Sequence, residues 1–301
     1  MSGIMDGKVC LVTGATSGIG QVTARELAKI GATVVAVGRN REKGEATVAD
    51  IKRRSASDTV EFMQADLSSQ QSIRDLATAF AGRHDRLHAL VNNAGGIFAK
   101  RETTVDGIEM TFALDHLGYV LLTELLLPIL KASAPARIVS VSSSAQGFGK
   151  IDFDDLQGAR DYRAWRAYNQ AKLANVLFTY ELARRLTGTG VTATCLHPGL
   201  VATGFAQNNR SLSQRLLKVG QVFMIGPEKG AETSIFLASS PLVEGVTGKY
   251  FVDKKPKKSS KRSYDETAAR RLWEISEGLT GLAPRLLAGA VAGPLVAGGR
   301  R

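Results

Sequence analysis

Seven short apolar runs rich in β-branched residues alternate with stretches of helical period from Lys8 to about Leu279. The runs are Lys8–Thr13, Thr33–Val37, Val60–Gln64, Ala89–Asn92, Arg137–Ser142, Val191–Leu196 and Lys249–Val252. They are continuously apolar more than alternating, the pattern of strands covered on both faces. With helices between them, they imply a doubly wound α/β domain built on one parallel sheet of about seven strands. Composition agrees: of 301 residues, 44% are hydrophobic and 22% charged, which excludes disordered and fibrous classes. No internal repeat or long linker interrupts the pattern, so one domain is expected over residues 1–281, with an Ala/Gly-rich tail over 282–301. In such a sheet ligands bind beyond the carboxyl ends of the strands, so the residues that follow each strand are the place to look for chemistry.

After the first run comes Thr13-Gly14-Ala15-Thr16-Ser17-Gly18-Ile19-Gly20, followed directly by a helical stretch from Gln21 to Ile30. Glycines there let the backbone turn tightly and approach a pyrophosphate, whose charge the first-turn amides of the helix stabilise. Strand before, helix after and position near the N-terminus make this a dinucleotide site. About 20 residues on, where an NAD site places an acid on the ribose 2′-hydroxyl, the second run ends in Val37-Gly38-Arg39-Asn40-Arg41. An arginine fork suits a 2′-phosphate, so NADP (NADPH) is expected over NAD.

Beyond the fourth run stands Asn92-Asn93-Ala94-Gly95, and the fifth runs into Ser140-Val141-Ser142-Ser143-Ser144. A long helical segment from near Asp161 carries Tyr168 and Lys172 at i and i+4, on one face; Leu173, Val176, Leu177 and Tyr180 form a neighbouring stripe expected to face the sheet. TGxxxGxG, NNAG, a serine after the fifth strand, YxxxK and Pro198-Gly199, in that order, resemble the short-chain dehydrogenase/reductase family, which is Rossmann-type. The match runs from Lys8 to about Gly281. The segments Ala174–Thr179, Glu181–Leu186, Gly188–Thr192 and His197–Gly199 are similar to the retinol dehydrogenase and WW-domain oxidoreductase branch.

The resemblance implies an oxidoreductase with Tyr168 as general acid/base, Ser143 as hydrogen-bond donor to the substrate oxygen, and Lys172 as partner of both Tyr168 and the nicotinamide ribose. A phenol with pKa about 10 needs a neighbouring ammonium, helped by an oxidised nicotinamide, to take protons near neutral pH. Asp66 and Leu67 would lie beside adenine, Asn93 beside the ribose, and Pro198, Gly199, Val201 and Thr203 along the nicotinamide. Asp66 also has the setting of a helix cap, since Ser68 and Ser69 follow it. One departure stands out in Leu114-Asp115-His116-Leu117-Gly118, where the family usually has asparagine at the position of Asp115. Asp115 is counted with the catalytic residues: ionised, it would either accept from the water that the asparagine helps hold in relatives or pair with Lys172, weaken its pull on Tyr168 and shift the pH optimum upward. His116 is expected to be structural.

Substrate choice is expected in Gln146–Trp165 and Leu200–Ile225; the second carries Phe205, Leu212, Leu216, Leu217, Val222, Phe223 and Met224, either a cover for a lipophilic alcohol or carbonyl compound or plain core. The formal net charge is +11, of which six positive charges fall at Lys254, Lys255, Lys257, Lys258, Lys261 and Arg262. This run is expected to be a solvated loop, and no nucleic-acid motif accompanies it. Cys10 and Cys195 sit in apolar runs without a CxxC or clustered histidines, as core fillers in a reducing compartment. No signal or transmembrane segment is expected: Leu286–Gly299 is uncharged but short and broken by Gly289, Gly293 and Pro294. The expected setting is cytoplasmic, with a homo-oligomer left open. The competing reading is a cofactor-binding regulator with weak or no catalysis; within enzymes it is an epimerase or double-bond reductase.

Overall fold

The computed structural model describes residues 3–199 and 225–282. Its strands β1 (Val9–Thr13), β2 (Thr33–Gly38), β3 (Val60–Gln64), β4 (Ala89–Asn92), β5 (Ala136–Val141), β6 (Val191–His197), β7 (Lys249–Val252) and β8 (Lys255–Lys257) form one sheet in the order β3-β2-β1-β4-β5-β6-β7-β8. β1 to β7 pair in parallel, with Leu11 opposite both Val35 and Leu90. The strand order reverses between β1 and β4, which opens a crevice above their carboxyl ends.

The about seven strands expected are present, and an eighth joins them at the edge. Lys255–Lys257 pairs antiparallel with β7, Tyr250 opposite Lys257 and Val252 opposite Lys255. Periodicity could not find it, because the strand is three residues long and exposed throughout. Asp253 and Lys254 make its hairpin turn with φ of 49° and 62°, a left-handed geometry in which neither has glycine's freedom.

Seven helices among the described residues cover the two faces: α1 (Gly18–Lys29), α2 (Arg41–Ser55), α3 (Gln70–Ala81), α4 (Met110–Ala132), α5 (Ala164–Arg185), α6 (Pro227–Ser239) and α7 (Glu266–Thr280). Side chains alternate across each strand: Cys10 and Val12 join Leu27, Val34 and Leu237 in one core, while Leu11, Val35 and Leu90 join Phe80, Leu121 and Phe178 in the other. Both faces of the central strands are therefore dry, which is why they read as unbroken apolar runs.

α4 is long and apolar enough to cross a membrane, yet 72% of its most apolar window is buried inside the fold. It is a core helix, with Val120, Leu121, Leu122, Leu126 and Leu130 packed against Leu90 and Ile138. α5 is buried on two sides, so its apolar stripe divides. Val176 and Tyr180 face the sheet beside Cys195 and Tyr250, whereas Leu173 and Leu177 pack with Phe112 and Leu272 of α4 and α7. Only half of the stripe expected to face the sheet does so.

Candidate active site

The crevice is a cavity of about 680 Å³. At one end is the turn from β1 into α1. Gly14 and Gly18 have φ of 64° and 55°, and a Cβ on Gly20 would lie 2.3 Å from the Gly14 carbonyl oxygen and 2.5 Å from Asn93 Nδ2. No side chain larger than glycine fits that contact without a shift. Ser17 makes no side-chain cap to α1, so its first-turn amides are left for a ligand. Thr16, Ser17 and Ile19 line the same end. Asn93 is anchored from the other side of the crevice: its backbone N–H donates to Thr13 Oγ1 at 2.8 Å and its Nδ2 to the Thr13 carbonyl at 2.8 Å.

Arg39 follows β2 into the wall and is exposed, with no ion pair among the described residues. Arg41 differs: it lies 3.7 Å from Glu45 and donates to Gln64 Oε1 at 3.3 Å. Of the two arginines, only Arg39 has a guanidinium without an ion pair or hydrogen bond among the described residues. Asp66 and Leu67 line the adjoining wall. Asp66 also holds a turn, since its Oδ1 accepts from the Ser68 N–H at 2.9 Å and from the Ser68 hydroxyl at 2.7 Å. A tight glycine turn, uncapped helix amides and an unpaired cation at the expected spacing fit a dinucleotide.

At the other end the cavity reaches Ser143, Tyr168 and Lys172. The three serines after β5 differ in what their hydroxyls can do. Ser142 is buried and donates to the Lys172 carbonyl at 2.7 Å, Ser144 is exposed, and Ser143 is hydrogen-bonded to the Tyr168 phenol while accepting from the Ala145 N–H at 3.2 Å. Lys172 Nζ lies 5.3 Å from the centroid of the Tyr168 ring and 5.9 Å from that of Tyr119.

Asp115 does not line the cavity. It is 0% exposed on a π-helical turn of α4 (Ala113–Leu117), with Oδ2 3.0 Å from Lys172 Nζ and Oδ1 accepting from the Gly96 N–H at 2.8 Å. It touches the chemistry only through Lys172 and is a positioning residue rather than a catalytic one. Asn175 fixes the turn by donating to the Asp115 carbonyl at 2.8 Å and meets His116 Nδ1 at 3.3 Å, while His116 Nε2 lies 3.0 Å from Ser276 Oγ. His116 thus ties α4, α5 and α7 together, and burial pushes its imidazole down to about 4. Among the described residues no cluster could hold a metal ion.

Burial sets the electrostatics of the three residues. Burial raises the Tyr168 phenol above its ordinary 10, with Asp115 adding to the rise and Lys172 and Ser143 opposing it. Lys172 pulls the phenol toward the phenolate, and burial outweighs that pull. Burial also pushes the Asp115 carboxyl up, against the pull of Lys172 and the Gly96 amide. For Lys172, burial disfavours the charge, but Asp115, Tyr119 and Tyr168 outweigh it and hold the ammonium above its ordinary range.

The structure brings Gly14, Thr16, Ser17, Gly18, Ile19, Gly20, Arg39, Asp66, Leu67, Asn93, Ser143, Tyr168, Lys172, Pro198 and Gly199 to one cavity. Val201, Thr203 and the apolar residues from Phe205 to Met224 lie outside the described residues. Phe98, Met110 and Leu114 line the wall beside Phe148 and Trp165; sequence reasoning missed these three, which lie in the connection after β4 and the start of α4, where no motif marks them.

The short chain dehydrogenase family model matches residues 8–214. Retinol dehydrogenase 14 of Homo sapiens is 43% identical over 296 residues, covering 93% of this chain and 88% of the relative. An uncharacterized protein of Mycobacterium paratuberculosis has a TM-score of 0.75 at 35% identity, covering 92% of this chain and 94% of that one. Pseudomonas aeruginosa RhlG, in an active-site complex with NADP, has a TM-score of 0.67 at 27% identity, covering 83% and 96%. The glycine turn, the serine and the tyrosine–lysine pair stand in one crevice in a chain this similar to known dehydrogenases. It belongs to the short-chain dehydrogenase family, is retinol dehydrogenase-like, and is an oxidoreductase of CH–OH groups that uses a nicotinamide cofactor.

Proposed function

We propose that the protein is an NADP-dependent oxidoreductase interconverting an apolar alcohol and its carbonyl compound, with Tyr168 as general acid/base. The observation that carries this reading is the meeting of Tyr168, Ser143 and Lys172 on one wall of a cavity whose far end is the glycine turn. The uncommitted Arg39 supports NADP over NAD. Phe98, Met110, Leu114, Phe148 and Trp165 give the substrate end an apolar lining.

When bound, the cofactor exchanges a hydride with the substrate carbon. The glycine-turn amides would hold its pyrophosphate, Arg39 its 2′-phosphate, Asp66 and Leu67 the adenine, Asn93 and Lys172 the riboses, and Pro198 and Gly199 the nicotinamide end, with Val201 and Thr203 assigned there by family resemblance. Ser143 and Tyr168 would hold the substrate oxygen between two hydroxyls, so that the proton moves over a hydrogen bond rather than through water. In reduction, Tyr168 donates its proton to the carbonyl oxygen. Burial keeps the phenol protonated near neutral pH, which suits this direction at once. In oxidation Tyr168 takes the alcohol proton, which requires the phenolate that Lys172 favours and Asp115 opposes.

Mixing the protein with NADPH or NADH and a panel of apolar aldehydes and ketones tests the reading by loss of reduced-nicotinamide absorbance. The expected result is consumption of NADPH in preference to NADH with formation of the alcohol. Preference for NADH refutes the Arg39 assignment, and cofactor binding without consumption favours the regulator reading, to which the Asp115–Lys172 pair gives its one structural support.

A further inference from the structure

The basic run left unassigned by the mechanism has a definite place in the fold. Lys255 and Lys257 stand at i and i+2 on β8, on one face of an edge strand, and Lys258 and Lys261 continue past its end. All four are exposed and have no ion pair among the described residues. Lys254 differs, being held by Glu232 at 2.8 Å. Lys255, Pro256 and Lys257 suffice to guard the sheet edge against another strand; Lys258 and Lys261, beyond the strand, serve no such purpose.

The run is fastened to the mouth of the cavity. The Ser260 N–H donates to Gln146 Oε1 at 3.0 Å, and Arg262 Nη1 donates to the Gly149 carbonyl at 3.1 Å. Between these two attachments lies Phe148, which lines the cavity and is 81% exposed. Tyr264, at the end of the run, is 53% exposed and lies with its ring 5.5 Å from that of Tyr180. Lysines with exposed aromatic rings among them match an interface in which anionic headgroups meet the charges and rings enter the acyl boundary.

We propose that Lys255, Lys257, Lys258 and Lys261, with Phe148 and Tyr264, form a docking surface for an anionic lipid bilayer, which turns the cavity mouth toward the membrane. Nucleic acid is the less fitting polyanion, because among the described residues the surface is a short sheet edge flanked by a cavity mouth, without a groove or stacking platform along which a backbone could run. Delivery of an apolar substrate from the bilayer rests on the function proposed above; docking itself does not, and is measured without turnover.

The test is co-sedimentation of the full chain with vesicles of phosphatidylcholine alone or with about 30% phosphatidylserine, at about 100 mM salt. Binding is expected only to the anionic vesicles, and to fall by about tenfold or more when all four lysines are changed to Gln. Changing Lys29, Lys52, Lys100 and Lys131 to Gln instead removes the same charge elsewhere and should leave most of the binding. NADPH affinity of the four-lysine variant, measured by fluorescence, should equal wild type and shows that it is folded. Equal loss in both charge variants, undiminished binding of the four-lysine variant, no binding to anionic vesicles, or tighter binding to a duplex oligonucleotide than to vesicles would overturn the proposal.

Discussion

Replacing Asp115 by Asn removes one negative charge from beneath the catalytic phenol while keeping the side chain's size. Asp115 Oδ2 lies 3.0 Å from Lys172 Nζ, which lies 5.3 Å from the Tyr168 ring centroid. The carboxylate is therefore within about 8 Å of that ring, where a unit charge at an effective dielectric of about 20 acts on a phenolate with about 2 kcal/mol. That energy corresponds to about 1.5 pH units. Loss of a negative neighbour favours the phenolate, so the midpoint of the pH dependence of kcat/KM for alcohol oxidation should move down by about 1 to 2 units. The variant leaves Lys172 buried without its partner and should lose about 3 kcal/mol of stability, so profiles are to be taken well below its melting temperature. An unchanged midpoint in a folded variant that binds NADP, or an upward shift, would refute the idea that Asp115 offsets Lys172 at the phenol.

Arg39→Asp should weaken NADPH by tenfold or more and NADH only slightly, since about 1.4 kcal/mol of charge contact is already a factor of ten; equal loss of both in a titration contradicts the 2′-phosphate role. Gly20→Ala places a methyl 2.3 Å from the Gly14 carbonyl oxygen and should abolish cofactor binding by calorimetry while the far end of the sheet stays folded by circular dichroism. The His116 imidazole, depressed to about 4 in the fold, is ordinary in the unfolded chain. The stability it contributes is therefore complete above pH about 6.5 and declines as the pH falls toward 4, by up to about 3 kcal/mol. Urea midpoints should show that acid loss in wild type and lose most of it in His116→Gln, once the variant's own destabilisation near neutral pH is subtracted.

The parts of the fold visible in sequence were those with a local cause. Strands such as Val34-Val35-Ala36-Val37 are apolar on both faces because helices cover both faces, and that requirement writes itself as an unbroken run. β8 has no such cause. Its three residues are polar or proline, and it exists because the Asp253-Lys254 turn folds it back on β7. At the site, the glycine turn and the Tyr168–Lys172 spacing were legible because a close backbone approach and a shared helix face constrain residue type directly. Ser143 is singled out among Ser142, Ser143 and Ser144 by family resemblance alone, and the structure adds the physical reason, the Ser142 hydroxyl being spent on the Lys172 carbonyl. The sign of the phenol's displacement needed the structure, because it depends on how far burial and Asp115 together outweigh one ammonium. Phe98, Met110 and Leu114 reach the cavity through the path of the chain after β4, which no local pattern records.

Single-turnover reduction of an accepted carbonyl substrate by Tyr168→Phe, with NADPH affinity measured on the same preparation, tests the central claim most directly. If the phenol supplies the proton, removing its oxygen should slow the chemical step by a factor on the order of 10³ while cofactor affinity stays within a few fold. A variant that binds NADPH normally and reduces the carbonyl within about tenfold of wild type would show that the proton comes from elsewhere.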